Sequence, residues 1–80
     1  MTDNNEQPQG RTVSFLKPVN EAGEVQIVFF RHAGKCLVYR FLGPKLFDAT
    51  RVVMRHIRDG VVPFVVGTRI IAAMRKLCGC

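Results

Sequence analysis

Residues 24–44 read EVQIVFFRHAGKCLVYRFLGP, and this stretch decides the fold. In an extended chain Val25, Ile27 and Phe29 share one face, and Gln26, Val28 and Phe30 share the other. Both faces are fairly apolar, which predicts a central strand over Glu24–Phe30, covered twice. Arg31, His32, Ala33 and Gly34 form a hairpin loop of ordinary length with Gly late in it. Lys35–Leu42 then reads as the returning strand, with Leu37, Tyr39 and Phe41 on one face. Gly43 and Pro44 break the sheet, and Pro pre-sets the first turn of a helix.

Working backward, Arg11–Lys17 alternates Val13 and Phe15 with polar neighbours, which predicts a first strand. Pro18 closes it, and residues 20–23 are turn formers. Working forward, Leu46, Phe47, Thr50, Val53, Met54 and Ile57 recur at steps of three and four. This is one apolar stripe and predicts a helix over 44–59. Asp48 in its first turn and Arg58 in its last suit the helix dipole, and Gly60 stops it. Val61–Val66 is β-branched and interrupted by Pro63, so it reads as an edge strand or extended connector. Gly67 and Thr68 offer an N-cap for a second helix over Arg69–Leu77, with Ile70, Ile71, Met74 and Leu77 inward. A strand is the alternative there.

The expected architecture is therefore α+β: a three-stranded antiparallel meander followed by two helices packed on it. Val13, Phe15, Val25, Ile27, Phe29, Leu37, Tyr39 and Phe41 should meet Leu46, Phe47, Val53, Met54 and Ile57. The opposite sheet face keeps Leu16, Val28, Phe30, Val38 and Leu42. Its cover is either the last helix or a second copy of the chain, a homodimer.

The chain has 80 residues, 48% hydrophobic and 22% charged. That is one small globular domain over 11–80, preceded by a polar tail at 1–10 that reads as disordered. The length excludes a multi-domain enzyme and any dinucleotide-binding or P-loop fold. The tail lacks the basic-then-apolar order of a secretion signal. No apolar run approaches the roughly 20 residues of a membrane span. These features predict a soluble protein in the cytoplasm of a bacterial host, without a membrane partner.

Charge is uneven. Residues 25–80 hold ten bases against two acids, Asp48 and Asp59, a net +8, and eight of the twelve bases in the chain are Arg. Guanidinium groups pair bidentately with carboxylates and phosphates. Arg51, Arg55 and Arg58 fall on one ridge of the predicted helix. The ridge is either a partner-binding anchor or an ordinary solvated face. Arg31, His32 and Lys35 flank the hairpin loop, with Arg40 further along the third strand; together they are either a second basic patch at one sheet end or an ordinary solvated loop. No aromatic residue is expected between the ridge arginines, so contact with phosphates or acidic side chains is favoured over base reading.

Catalytic and metal chemistry find little footing. No carboxylate pair, nucleophile elbow or Gly-rich phosphate loop is present, so the expectation is a protein that is not an enzyme and uses no cofactor. His56, mid-helix beside Arg55, reads as a surface or boundary residue. His32, Cys36, Cys78 and Cys80 are zinc-ligand types without knuckle spacing, so no metal site is expected. They read instead as a buried strand cysteine (Cys36) and exposed terminal thiols. Cys78 and Cys80 could form intermolecular disulfides once oxidised.

Two resemblances bear on function. The run from Val25 to Phe30, with Gly34, Tyr39, Arg40 and Phe41, then Pro44 and a helix closed by Gly60, resembles the small KTSC domains over half the chain. The serine-rich start and Ser-x-Gly turn of that family are missing, so the resemblance implies only the β-then-α order. In size, polar tail, skewed charge and lack of enzyme motifs, the chain also resembles phage and mobile-element accessory proteins of the anti-CRISPR type. That resemblance implies a non-enzymatic inhibitor that docks on a CRISPR effector complex and blocks target-DNA binding. A small basic nucleic-acid-binding regulator is the alternative. A structural subunit that uses the apolar sheet face is a third reading.

Overall fold

The computed structural model describes residues 12–30 and 35–79. The expected disordered tail, Arg31, His32 and Cys80 lie outside them. The described chain is an α+β fold of three strands followed by two helices: β1 Thr12–Ser14, β2 Val25–Phe30, β3 Cys36–Phe41, α1 Leu46–Arg58 and α2 Phe64–Leu77. The sheet is antiparallel in the order β1-β2-β3. Val25 pairs with Phe41, Ile27 with Tyr39 and Phe29 with Leu37, so the alternating apolar residues of both strands fall on one face.

The first strand is shorter than its alternation predicts. Ser14 pairs with Val28, and the chain rejoins β2 only at Val19, opposite Val25. Four residues, 15–18, thus span a stretch that β2 covers with two. Pro18 ends this excursion without an N–H to offer, although its carbonyl accepts from Gln26 N at 2.9 Å. Phe15, expected in the core, and Leu16, expected on the opposite sheet face, are both carried into solvent. The turn that follows is built by Asn20, whose Oδ1 accepts from the N–H groups of Ala22 and Glu24 at 3.0 Å each. Gly23 supplies the left-handed residue, φ 81°.

Pro44 sits in a single 3-10 turn, Gly43–Lys45, which leads directly into α1. At the far end, Val61 N donates to His56 O at 2.9 Å and Gly60 N to Ile57 O at 3.1 Å. With Gly60 at φ 77° this is a Schellman closure, as the Gly60 stop implies. The buried stripe of α1 is rotated from the expected one. Thr50 and Val53 are buried, with Leu46, Ala49, Val52 and Ile57 packed beside them. Phe47 and Met54, expected in the core, are exposed. Thr50 takes its inward place because its hydroxyl donates to Phe47 O at 2.8 Å, which satisfies it without water.

The second helix starts earlier than expected. Phe64–Leu77 is helical, Pro63 is its N-cap residue, and Gly67 N donates to Pro63 O at 2.8 Å. Val61–Val66 is therefore neither an edge strand nor wholly a connector, and Gly67 and Thr68 lie inside the helix rather than capping it. Tertiary packing overrides β propensity here. Val62, Val66, Ile70 and Met74, each four residues after the last, are all buried on one stripe.

Both helices lie on the same face of the sheet. One core joins Val25, Ile27, Phe29, Tyr39 and Phe41 to Val53 of α1 and to Val66, Ile70 and Met74 of α2. The last helix therefore does not cover the second sheet face. Among the described residues that face stays open: Val28 and Phe30 are half-buried, and Cys36, Val38 and Leu42 are exposed. No helix of the described residues is long and apolar enough to cross a membrane.

Candidate docking surface on the first helix

Rotation of the α1 stripe decides what its outer face carries. A helix that turns Ala49, Thr50, Val53 and Ile57 inward must turn Phe47, Arg51, Met54 and Arg58 outward, since these recur at steps of four, three and four. Phe47 is 71% and Met54 53% exposed, and Arg51, Arg55 and Arg58 are all exposed. The ridge predicted from spacing is thus assembled, with an apolar component that the sequence reading assigned to the core. The Arg51 guanidinium carbon stands 5.9 Å from the centroid of the Phe47 ring, within cation–π reach. An open depression runs along the helix between Asp48, Arg51, Met54, Arg55 and Arg58.

The charges on this face are largely unspent. Among the described residues no carboxylate lies within ion-pair distance of Arg51 or Arg55. Arg58 Nε is 3.9 Å from Asp59 Oδ1, but both side chains are well exposed, and such a pair contributes little. Arg58 and Arg55 also stand in the last turn of α1, where the helix dipole favours cations.

The second basic patch is not one cluster. Lys35 precedes β3 and Arg40 lies near its end, five residues on, which in a strand is about 17 Å. Arg31 falls outside the described residues. Arg40 projects from the open sheet face, where its Nε donates to Gln26 Oε1 at 3.0 Å.

The sequence reading did not pair Tyr39 with His56. The Tyr39 hydroxyl and His56 Nδ1 are 2.7 Å apart, and the rings meet at a centroid distance of 5.6 Å. Burial pushes the Tyr39 phenol up to about 12. Among the described residues no carboxylate joins the pair, and the contact clasps β3 to α1. No sequence spacing signals it, because the partners sit on different elements. Among the described residues no cluster of three His, Cys, Asp or Glu side chains could hold a metal ion. Cys36 and Cys78 are placed contrary to expectation: Cys36 on β3 is exposed, while Cys78 is half-buried and packs against the core. Outer-face positions of a strand see solvent here because, among the described residues, no layer covers them.

Comparison with protein-family models, curated proteins and solved structures found no match.

Proposed function

We infer that the chain is a non-enzymatic binding protein that docks through the outer face of α1 on an acidic surface of a host protein complex. The observation that carries this reading is the juxtaposition of Arg51, Arg55 and Arg58 with exposed Phe47 and Met54. Arginine beside a large apolar side chain is the chemistry of interface hot spots. An apolar pair left in solvent among three arginines is poorly explained by solubility alone. In its concrete form the proposal is an anti-CRISPR protein that sits on a CRISPR effector complex and blocks target-DNA binding. The support for that target class is size, charge and the resemblance in style.

The test uses purified guide-loaded effector complexes and labelled target DNA. The chain is expected to lower DNA binding by at least one effector class, and Arg51→Glu, Arg55→Glu and Arg58→Glu together should remove the effect. If no effector class responds, the anti-CRISPR form is wrong. If the triple variant inhibits as well as the wild type, the site assignment is wrong.

One observation favours a second reading, a small nucleic-acid-binding regulator. Phe47 is an exposed ring beside Arg51, and exposed rings in basic surroundings stack on unpaired bases. This reading predicts direct binding of DNA or RNA that weakens steeply with salt. Absent or salt-insensitive binding removes it.

A further inference from the structure

We propose that the docking surface does not end with α1 but continues across α2, and that the two helices together take one broad acidic face of a partner protein. The inference rests on the α1 docking reading and extends it. The last turn of α1 lies against the start of α2, where a Cβ on Gly67 would overlap the Ile57 side chain. Phe64 and Val65, in the turn before Gly67, therefore flank the end of α1 that carries Arg58. Phe64 is 70% and Val65 60% exposed. From Val65 the exposed positions of α2 run on through Arg69, Ala72 and Lys76, at steps of four, three and four. They turn away from the stripe of Val66, Ile70 and Met74 that closes the core.

Charge decides the direction in which the surface extends. On the β3 side of α1, Arg40 and Lys45 are balanced by Glu24 and Asp48. On the α2 side, Arg69, Arg75 and Lys76 share a helix that holds no acid. Among the described residues no carboxylate lies within ion-pair distance of these three. From Leu46 to Leu77 the chain has six bases against Asp48 and Asp59, a net +4. Size points the same way. α1 alone presents a strip about 20 Å long and about 10 Å wide, whereas each partner in a stable complex buries roughly 800 Å². α2, with 14 residues, doubles that strip.

A positive face with apolar anchors also selects its occupant. A second copy of the chain brings the same sign of charge and is repelled. Nucleic acid answers the arginines, but Val65 and Met54 have no ring to stack on a base. A bilayer takes the continuous apolar face of a helix, and in both helices that face is spent on the core. A protein surface answers both components: its carboxylates meet the six bases, and its apolar side chains meet Phe47, Met54, Phe64 and Val65.

The probe is a glutamate–tyrosine copolymer, an acidic polypeptide that also carries apolar rings. Isotope-labelled full-length protein is titrated with it and followed by NMR, with a short DNA duplex and phosphatidylglycerol vesicles titrated in parallel. Amides on the outer faces of both helices should shift together, at one midpoint. The double variant Arg69→Glu, Arg75→Glu should bind about tenfold more weakly. Phe64→Ala, which keeps every charge, should also weaken binding, and circular dichroism of both variants should match wild type. Shifts confined to α1, with the α2 variants binding as wild type, overturn the two-helix surface and leave the α1 reading standing. If the triple arginine variant binds as wild type while the α2 variants do not, the α1 reading falls and the shared surface falls with it. No shift on either helix, or tighter binding of the duplex or the vesicles, overturns the acidic-protein class.

Discussion

The hydroxyl of Tyr39 on β3 and Nδ1 of His56 on α1 lie 2.7 Å apart, joining the middle of the edge strand to the last turn of the helix beside it. A net contribution near 1 kcal/mol is usual for such a bond. His56 is only half-buried, so water can replace part of it. Tyr39→Phe should lower unfolding stability by about 0.5–1 kcal/mol, read as a fall in the urea midpoint at unchanged slope. An unchanged midpoint would mean that the bond adds nothing beyond packing.

The same phenol gives a pH window. Its folded value is raised to about 12 from an ordinary 10. The folded state therefore holds this proton more tightly than the unfolded chain does. That stabilisation is complete below pH 10 and is lost as pH rises toward 12. Tyr39 is the chain's one tyrosine, so tyrosinate absorbance reports it alone. Native protein should ionise well above protein unfolded in urea. Coincident titrations would contradict the burial of Tyr39.

Gly67 of α2 is buried where the helices approach, and a Cβ there would overlap the Ile57 side chain of α1. Gly67→Ala gains about 1 kcal/mol of helix propensity but meets an overpacking cost of about 1–3 kcal/mol. The net expectation is a lower melting temperature. In an Ile57→Ala background the same change should raise it, because the obstacle is gone. A rise in both backgrounds would place the helices further apart than described here, and a fall in both would mean that Ile57 is not the obstacle.

Met74 and Met54 test the rotation of the helix faces. Met74 is fully buried, whereas Met54 is 53% exposed. Met74→Ala should cost about 2–5 kcal/mol, and Met54→Ala should stay within about 0.5 kcal/mol. Chemical denaturation of both variants decides it; similar losses would return Met54 to the core.

The arginine reversals should leave the fold intact. Arg58→Glu puts an acid at the negative end of α1, at a cost of about 0.3–1 kcal/mol. Arg51→Glu gives up its contact with Phe47, about 0.5 kcal/mol at an exposed site. Circular dichroism of the triple variant should match wild type, with a modest fall in melting temperature. A molten spectrum would instead assign the ridge a structural role.

Strands β2 and β3, the Asn20 turn and the Pro44-to-Gly60 span of the first helix were legible because local pattern and tertiary packing agree there. They diverge where a position satisfies two patterns. Phe47 and Met54 fit an apolar stripe, but so do Ala49, Val52 and Thr50. Thr50 can go inward because its hydroxyl finds a carbonyl within the helix. Val61–Val66 shows β-branching and proline, both strand or loop signals, while the four-residue steps from Val62 to Met74 carry the helical one. Phe15 continued an alternation that the backbone abandons ahead of Pro18. Within the candidate site, the arginine spacing was readable. The exposed Phe47 beside it was not, because its exposure depends on which way the helix turns. The Tyr39–His56 clasp had no sequence signal at all.

The order of elements has a consequence for synthesis. Ile70 and Met74 of α2, with no solvent exposure, close the core over Ile27 and Phe29 of the sheet. A nascent chain that has emerged only as far as α1 holds a sheet with apolar side chains bare on both faces and a long open edge. Such a species is the kind that chaperones hold and that aggregates when they do not. Completion of the core must therefore wait for the second helix, and this protein should fold after most of its chain has been made rather than strand by strand as it appears.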